Sequence, residues 1–154
     1  MLKAAATALA LGTAMTLAAC GQDAELRVDK GWVKLAAVPD RPAAAYFTIH
    51  GGDKADHLVD VGTDVAIRTE MHETSQAGGM SHMAKIEGGL DVPARAKIAF
   101  EPGGKHVMLF NVNPGIKPGS KVTLTFTFSS GEQIQYDALA YAAGDTAPMH
   151  GDKK

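Results

Sequence analysis

The chain has little cysteine and no excess of either charge, and each shortage excludes a class of protein. Its 154 residues include one cysteine, which allows neither an internal disulfide nor a thiolate cluster for zinc or iron–sulfur. Fifteen Lys and Arg against 17 Asp and Glu give a formal net charge of −2, which argues against a nucleic-acid partner. Hydrophobic residues at 45% and charged residues at 21% are near globular averages, and this length favours a single domain.

Motifs of common enzyme classes are also missing. The sequence contains no His-Glu-x-x-His pair, no phosphate-binding glycine motif and no nucleophile in a recognisable local context. We therefore expect no enzymatic activity. A blue-copper electron carrier needs a Cys thiolate together with two His. The only cysteine, Cys20, lies at the end of an N-terminal apolar segment, so that class is excluded as well.

This N-terminal segment is apolar but short. Residues 4–19 carry no charge, and a run of about 15 apolar residues is too short for a bilayer span, which needs roughly 20. The run is typical of a secretory signal peptide. Its last residues, Leu17-Ala18-Ala19-Cys20, resemble a bacterial lipobox. We predict removal of 1–19, lipidation of Cys20, a tether over 20–25 and a lipid-anchored, extracytoplasmic protein. The alternative is an ordinary signal peptide with an incidental cysteine.

The rest of the chain alternates between apolar and polar residues and has almost no helical periodicity. The clearest strand is 121–128, where Val, Leu and Phe alternate with Lys and Thr. Seven to nine such segments, separated by Gly, Pro, Asp and Asn, predict an all-β sandwich or barrel that covers 26–141 as one domain. Residues 142–154 are small and polar, and we predict a flexible tail there.

The same alternation predicts which way individual side chains point. In one strand Phe47 is apolar and faces the core, whereas Tyr46 belongs to the opposite, more polar face. In another strand Ile67 and Met71 are predicted to face inward, so His72 points away from the core.

Six His and seven Met are many for this length, and four of them form a pattern. Met83 follows His72 after ten residues, and His106-x-Met108 follows Met83 after 22 residues. Alternate residues of a strand face one side about 6.6 Å apart, so His106 and Met108 can converge on one ion. Imidazole with soft, neutral thioether sulfur suits Cu(I) and is a weak ligand set for zinc, calcium or magnesium. The pattern therefore favours a soft-metal site, with separate core or surface roles as the alternative.

Nearby residues are further candidates. Met80 and His82 lie in a Gly- and Ser-rich stretch that is predicted to be a loop, and they are candidate secondary or substitute metal ligands. Glu70 and Glu73 flank His72 and are candidates to orient its ring, with a solvated surface position as the alternative.

Much of the chain resembles one known family, the periplasmic copper chaperones called PCuAC. Their motif is His, ten residues, Met, twenty-one residues, then His-x-Met, and the resemblance covers about 31–141. The segments that carry it are Trp32-Val33, 43–49, 70–74, Met83, Val92-Pro93, 102–109 and 119–128. The second gap is one residue longer here. Ala84-Lys85 also stands where the family usually has a basic residue and a proline.

The resemblance implies a cupredoxin-like Greek-key fold with a solvent-accessible Cu(I) site. It implies His72, Met83, His106 and Met108 as the four ligands of one copper ion. It also implies delivery of copper to the dinuclear copper centre of cytochrome c oxidase, with the copper-bearing subunit and a thiol-bearing copper chaperone as partners. A lipid-anchored β-sandwich that scaffolds an envelope complex without metal is the alternative function.

Three other His positions complete the predictions. Met149-His150 in the tail resembles the Met- and His-rich extensions that some of these chaperones use for extra copper, including Cu(II). A plain tail is the alternative. His50 and His57 bracket a glycine turn and are expected to be surface residues.

Overall fold

A computed structural model of the chain describes residues 23–146 and 148. Every regular element among these residues is a β-strand, so the all-β prediction is confirmed. The predicted signal peptide, Cys20 and the Met149-His150 pair lie outside the described residues. The ten strands are β1 (Arg27–Lys34), β2 (Ala43–His50), β3 (Asp56–Thr63), β4 (Ala66–Ala77), β5 (Met80–Lys85), β6 (Leu90–Val92), β7 (Lys97–Phe100), β8 (Lys105–Val112), β9 (Lys121–Phe128) and β10 (Gln133–Tyr141).

All ten strands belong to one hydrogen-bonded sheet that folds back over its own core. The strand order is β5-β4-β8-β7-β2-β1-β10-β9-β3-β6, and β8 also pairs with β2. Two strands separate β2 from β9 in this order, yet the rings of Phe47 on β2 and Phe126 on β9 meet with centroids 4.7 Å apart. The open sheet therefore folds over, so that strands far apart in this order form the two layers of a sandwich.

The core is filled by the alternating apolar residues of these strands. On β9 the four predicted inward residues, Val122, Leu124, Phe126 and Phe128, are at most 2% exposed. Burial of one such side chain stabilises the fold by about 1.5–3 kcal/mol. Met71 on β4 is also buried in this cluster, as the alternation predicts.

One prediction about individual faces is wrong, and one outward residue is more buried than expected. Ile67, predicted to face inward, is 83% exposed. On β8 the residue opposite Ile67 is Asn111, which is exposed as well. The apolar core therefore ends before this point of β4. Tyr46 lies opposite the core face as predicted, but it is buried because the Trp32 ring covers it at a centroid distance of 4.6 Å.

The stretch around Met83 is a strand and not the predicted loop. β5 pairs antiparallel with β4 from Ala77 opposite Met80 to His72 opposite Lys85. Gly78 and Gly79 both have positive φ, at 60° and 79°, which a two-residue hairpin turn of this kind requires. A short strand, β6, lies between this hairpin and β7.

Candidate metal centre

The pairing of β4 with β8 brings three of the predicted ligands together. His72 lies directly opposite His106, and Glu70 lies directly opposite Met108. Alternate residues share a face, so these four side chains emerge on one side of the sheet. Met71 between them points into the core. The site therefore lies on the outer face of the sandwich, as the alternation around His72 predicts.

The fourth predicted ligand comes from the edge of the sheet. Met83 on β5 lies opposite Thr74, two residues beyond His72 on β4, so it shares the outer face with His72. A diagonal cross-strand neighbour lies about 7–8 Å away, which a long side chain can reach. Met83 and Met108 are both diagonal neighbours of His72, and His106 is its direct neighbour. His72 is thus the residue adjacent to the other three.

The two imidazole rings face each other and are shielded from solvent to different degrees. Their centroids are 5.9 Å apart with an interplanar angle of 29°. His106 is only 6% exposed, and the His72 side chain is 14% exposed. The rings form the buried centre of the site.

Hydrogen bonds determine which ring nitrogens have a free lone pair. The Nδ1–H of His106 donates to the Gly104 carbonyl at 3.0 Å, which leaves its Nε2 lone pair free. The Nε2–H of His72 donates to Glu70 Oε2 at 3.1 Å, and within the described chain its buried Nδ1 has no hydrogen-bond partner. A neutral imidazole held through one nitrogen presents the other to a metal ion. The donor set of two such nitrogens and two thioethers fits Cu(I).

Glu70 is the carboxylate that orients His72. It lies within hydrogen-bond distance of His72, contacts Arg68 and has Lys85 Nζ 4.0 Å away. The hydrogen bond from His72 is the largest cause that holds the pKa of Glu70 below its ordinary value, and the two cations act in the same direction. Glu73, the other candidate, is paired with Lys105 at 2.6 Å and belongs to the opposite face.

The two halves of the site differ in exposure. His106 and Met108 belong to β8, which has neighbours on both sides, whereas Met83 belongs to the edge strand β5 and is 51% exposed. Every residue of β5 is exposed. We call His106 and Met108 the inner half and Met83 the outer half, with His72 between them.

Comparison with known proteins identifies the family. The LpqE-like family, described as "Putative lipoprotein LpqE-like", matches residues 26–139. The chain belongs to this family. A relative from Leifsonia xyli subsp. xyli, "Putative lipoprotein Lxx21020", is 30% identical over 106 residues, or 69% of this chain. The match covers 63% of that relative, so this LpqE-like chain spans less than two thirds of its length.

Solved structures of PCuAC domains share the fold of this LpqE-like chain. The solution structure of CuI-DR1885 from Deinococcus radiodurans has a TM-score of 0.59 and 30% identity, and the match covers 80% of this chain and 83% of that one. The copper-bound PCuAC domain from PmoF2 has a TM-score of 0.62 at 18% identity and covers 78% and 97% of the two chains. The resemblance to PCuAC and the cupredoxin-like fold are confirmed.

The candidate secondary ligands lie on the β4–β5 hairpin, on the face opposite to that of Met83. Met80 lies opposite Ala77, and His82 lies opposite Ser75, so both side chains share the face away from Met83. This placement disfavours them as substitutes in the same ligand sphere. A separate secondary site there stays a prediction, as does one at Met149-His150.

An aromatic row beside His106 was not predicted as part of the site. The Tyr46 ring lies 6.4 Å from the His106 ring, and Trp32 packs on Tyr46 and meets Tyr141 edge-on at 5.9 Å. The alternation places Tyr46 and His106 on outer faces, but only the pairing of β2 with β8 makes them neighbours. Burial raises the pKa of Tyr46, so this residue stays neutral.

Residues other than the His/Met set offer no competing metal cluster. Among residues 23–146 and 148, no group of three or more His, Cys, Asp or Glu side chains is arranged to hold a metal ion. The same residues contain no helix long and apolar enough to span a membrane.

Proposed function

We propose that the protein is a copper carrier that binds one Cu(I) through His72, Met83, His106 and Met108 and hands it to another protein. The single observation that carries this proposal is the register of β5, β4 and β8. It supports a site in which His72 neighbours the other three residues on one outer face. Neutral nitrogen and thioether ligands add no charge, which favours a singly charged soft cation over Zn²⁺ or Ca²⁺.

The surroundings of the four residues support capture and release of the ion. His106 is held by the Gly104 carbonyl and His72 by Glu70, so the two rings need little rearrangement to bind. Met83 is half exposed on an edge strand, so a recipient protein can approach the ion from that side. These features suit cargo that must leave again better than a resident cofactor.

The proposal includes an extracytoplasmic location and a lipid anchor at Cys20. The lipobox-like sequence and the lipoprotein description of the family support both. As recipient we propose a copper-bearing subunit of cytochrome c oxidase, with a thiol-bearing copper chaperone as a second partner. That assignment derives from the PCuAC resemblance. Any copper at Met149-His150, including Cu(II), belongs to a secondary site.

Anaerobic titration with Cu(I) against a competing chelator tests the proposal. The purified protein should retain one equivalent, and His72→Ala should lose it because His72 adjoins all the other ligands. His82→Ala is the matched control, since it removes an exposed imidazole from the reverse face of the same hairpin. Failure to retain Cu(I) would favour the metal-free scaffold, and equal losses in both variants would contradict the assigned ligand set.

The anchor has its own test. Cys20→Ser should release the protein from membranes into the soluble envelope fraction, because one thioether-linked lipid group is lost. Continued membrane retention of this variant would contradict lipidation while leaving the copper titration unaffected.

A further inference from the structure

The start of the described chain and the tip of the β4–β5 hairpin lie at the same end of the sandwich. Arg27 at the start of β1 pairs with His50 at the end of β2, and the Asp53 amide donates to the Ala24 carbonyl at 3.0 Å. Both β2 and β4 run antiparallel to β8, so they run in the same direction. The end of β4 therefore lies at the end of the sandwich where residues 23–26 leave the fold. We call it the tether end.

The hairpin separates from the rest of the sheet at this tether end. The last hydrogen bond from β4 to the rest of the protein is from the Thr74 amide to the Gly104 carbonyl, at 3.1 Å. Beyond it, β4 and β5 pair only with each other, and every residue from 75 to 85 is exposed. Three further residues of β4 carry the hairpin about 10 Å past this bond, to the level along the strands that β2 reaches at its own end.

The composition of this separated part of the hairpin is unusual for the chain. Residues 75–84 contain no Asp, Glu, Lys or Arg, although 21% of the whole sequence is charged. The segment carries two exposed thioethers, with Met80 74% and Met83 51% exposed. An uncharged segment with exposed apolar groups can enter the headgroup region of a bilayer without burying a charge.

The length of chain before Asp23 brings a membrane within reach. Cys20 is three residues from Asp23, which at full extension is about 10 Å. Acyl chains on Cys20 would hold the tether end, and with it the tip of the hairpin, within that distance of the bilayer. The loops of the far end, around Lys117, lie beyond the opposite ends of the strands.

We propose that the tip of the β4–β5 hairpin rests on the bilayer that holds Cys20, so that the outer half of the copper site opens toward the membrane. This inference rests on the proposed lipid anchor. Its consequence is that the recipient of the copper is held in the same bilayer and takes the ion beside the lipid surface. A freely diffusing recipient would have to reach Met83 between the hairpin and the headgroups.

Site-specific labels on the lipidated full-length protein test this orientation. Ser81→Cys places a thiol near the tip of the hairpin, and Lys117→Cys places one at the far end, both on exposed residues. Lipidation consumes the thiol of Cys20, so each variant has one reactive cysteine. The probe is an environment-sensitive fluorophore, in vesicles of phosphatidylethanolamine and phosphatidylglycerol with or without a nitroxide headgroup lipid as quencher.

The expected result is loss of most of the emission at position 81 and little loss at position 117 when the nitroxide lipid is present. Met80→Glu in the Ser81→Cys background should restore emission, because it puts a charge on the tip. Equal quenching at both ends, or stronger quenching at 117, would overturn the inference. Protein that fails to associate with vesicles would refute the anchor and the inference with it, whereas Cu(I) titration of the same preparation reports on the copper site separately.

Discussion

The inner and outer halves of the proposed copper site belong to different structural environments. His106, on a central strand, is 6% exposed, donates a hydrogen bond to the Gly104 carbonyl and packs near Tyr46. Met83 is 51% exposed on an edge strand that contacts little besides β4. If the proposed site binds copper, the inner half serves both the fold and the metal, whereas the outer half serves the metal alone. Substitutions should separate the two contributions.

His106→Ala should have the largest effect, because it removes both a ligand and a buried ring. We expect Cu(I) affinity to fall by at least about 100-fold, more than the loss of a ligand's hydrogen-bond partner usually causes. The free energy of unfolding should fall by about 2 kcal/mol. Chelator competition and thermal melts measure the two effects. If His106→Ala lowered Cu(I) affinity but left the free energy of unfolding unchanged, the proposed difference between the two halves would be wrong.

Replacement of each thioether by Leu should weaken copper binding by about tenfold while volume and apolar character are kept. Met83→Leu should change stability by less than about 0.5 kcal/mol because the side chain is half exposed. Met108→Leu should also leave the melting temperature nearly unchanged. If Met108→Leu unfolds the protein and copper affinity persists, Met108 is a core residue and the inner half must be redrawn.

Glu70→Ala should weaken copper binding by up to about tenfold, since His72 would lose the partner that holds its ring. Glu73→Ala is the matched control from the same strand. Its carboxylate pairs with Lys105 on the other face, and its loss should leave affinity unchanged. Equal effects of the two variants would indicate a general charge effect in place of ring positioning.

The smallest effect should come from His57, which lies on β3 outside the site. Its Nδ1 and Nε2 each lie 2.7 Å from an acceptor, Asp91 Oδ1 and the Gly88 carbonyl. The Asp91 hydrogen bond is the largest cause that raises the pKa of His57 above 6.5, followed by the Gly88 carbonyl, and the Asp56 charge contributes as well. Both contacts favour the protonated form of the ring.

A raised pKa fixes the sign of the pH dependence. The stabilisation from His57 is fully present below the unfolded value of about 6.5 and is lost as the pH rises through the folded value. Melting temperatures should fall slightly over that window, and less so in Asp91→Asn. NMR titration of the imidazole gives its pKa directly. A folded pKa of His57 at or below the unfolded value would contradict this prediction. Cu(I) affinity should be the same in the unmodified protein and in Asp91→Asn.

Much of the fold follows from alternation, because a half-buried strand must show it. β9 spans the predicted residues 121–128, and its four inward residues are all buried. β5 escaped prediction because Met80-Ser81-His82-Met83 is exposed on both faces and has no inward apolar set. Ile67 was assigned to the core because alternation cannot say where the covering layer ends.

The candidate site was only partly predictable for a similar reason. Residue types and spacing pointed to His72, Met83, His106 and Met108, but one sequence holds no information on which strands pair. The register of β4 with β5 and β8 makes His72 the neighbour of the other three candidate ligands. It also places Met80 and His82 on the face opposite to that of Met83. The roles of Gly104 and Tyr46 required three-dimensional contacts, because a backbone carbonyl and a covered tyrosine leave no motif.

The exposure of the thioethers on β5 also sets the order in which the protein would suffer oxidative damage. Methionine sulfoxide is polar, and its oxygen is a hard donor that Cu(I) accepts poorly. Peroxide should reach Met80 and Met83 well before partly buried Met108 or buried Met71. A mild exposure would therefore disable the carrier without unfolding it, and sulfoxide reductases could restore it. Reversible oxidation of Met83 in the outer half would thus switch copper binding off and on.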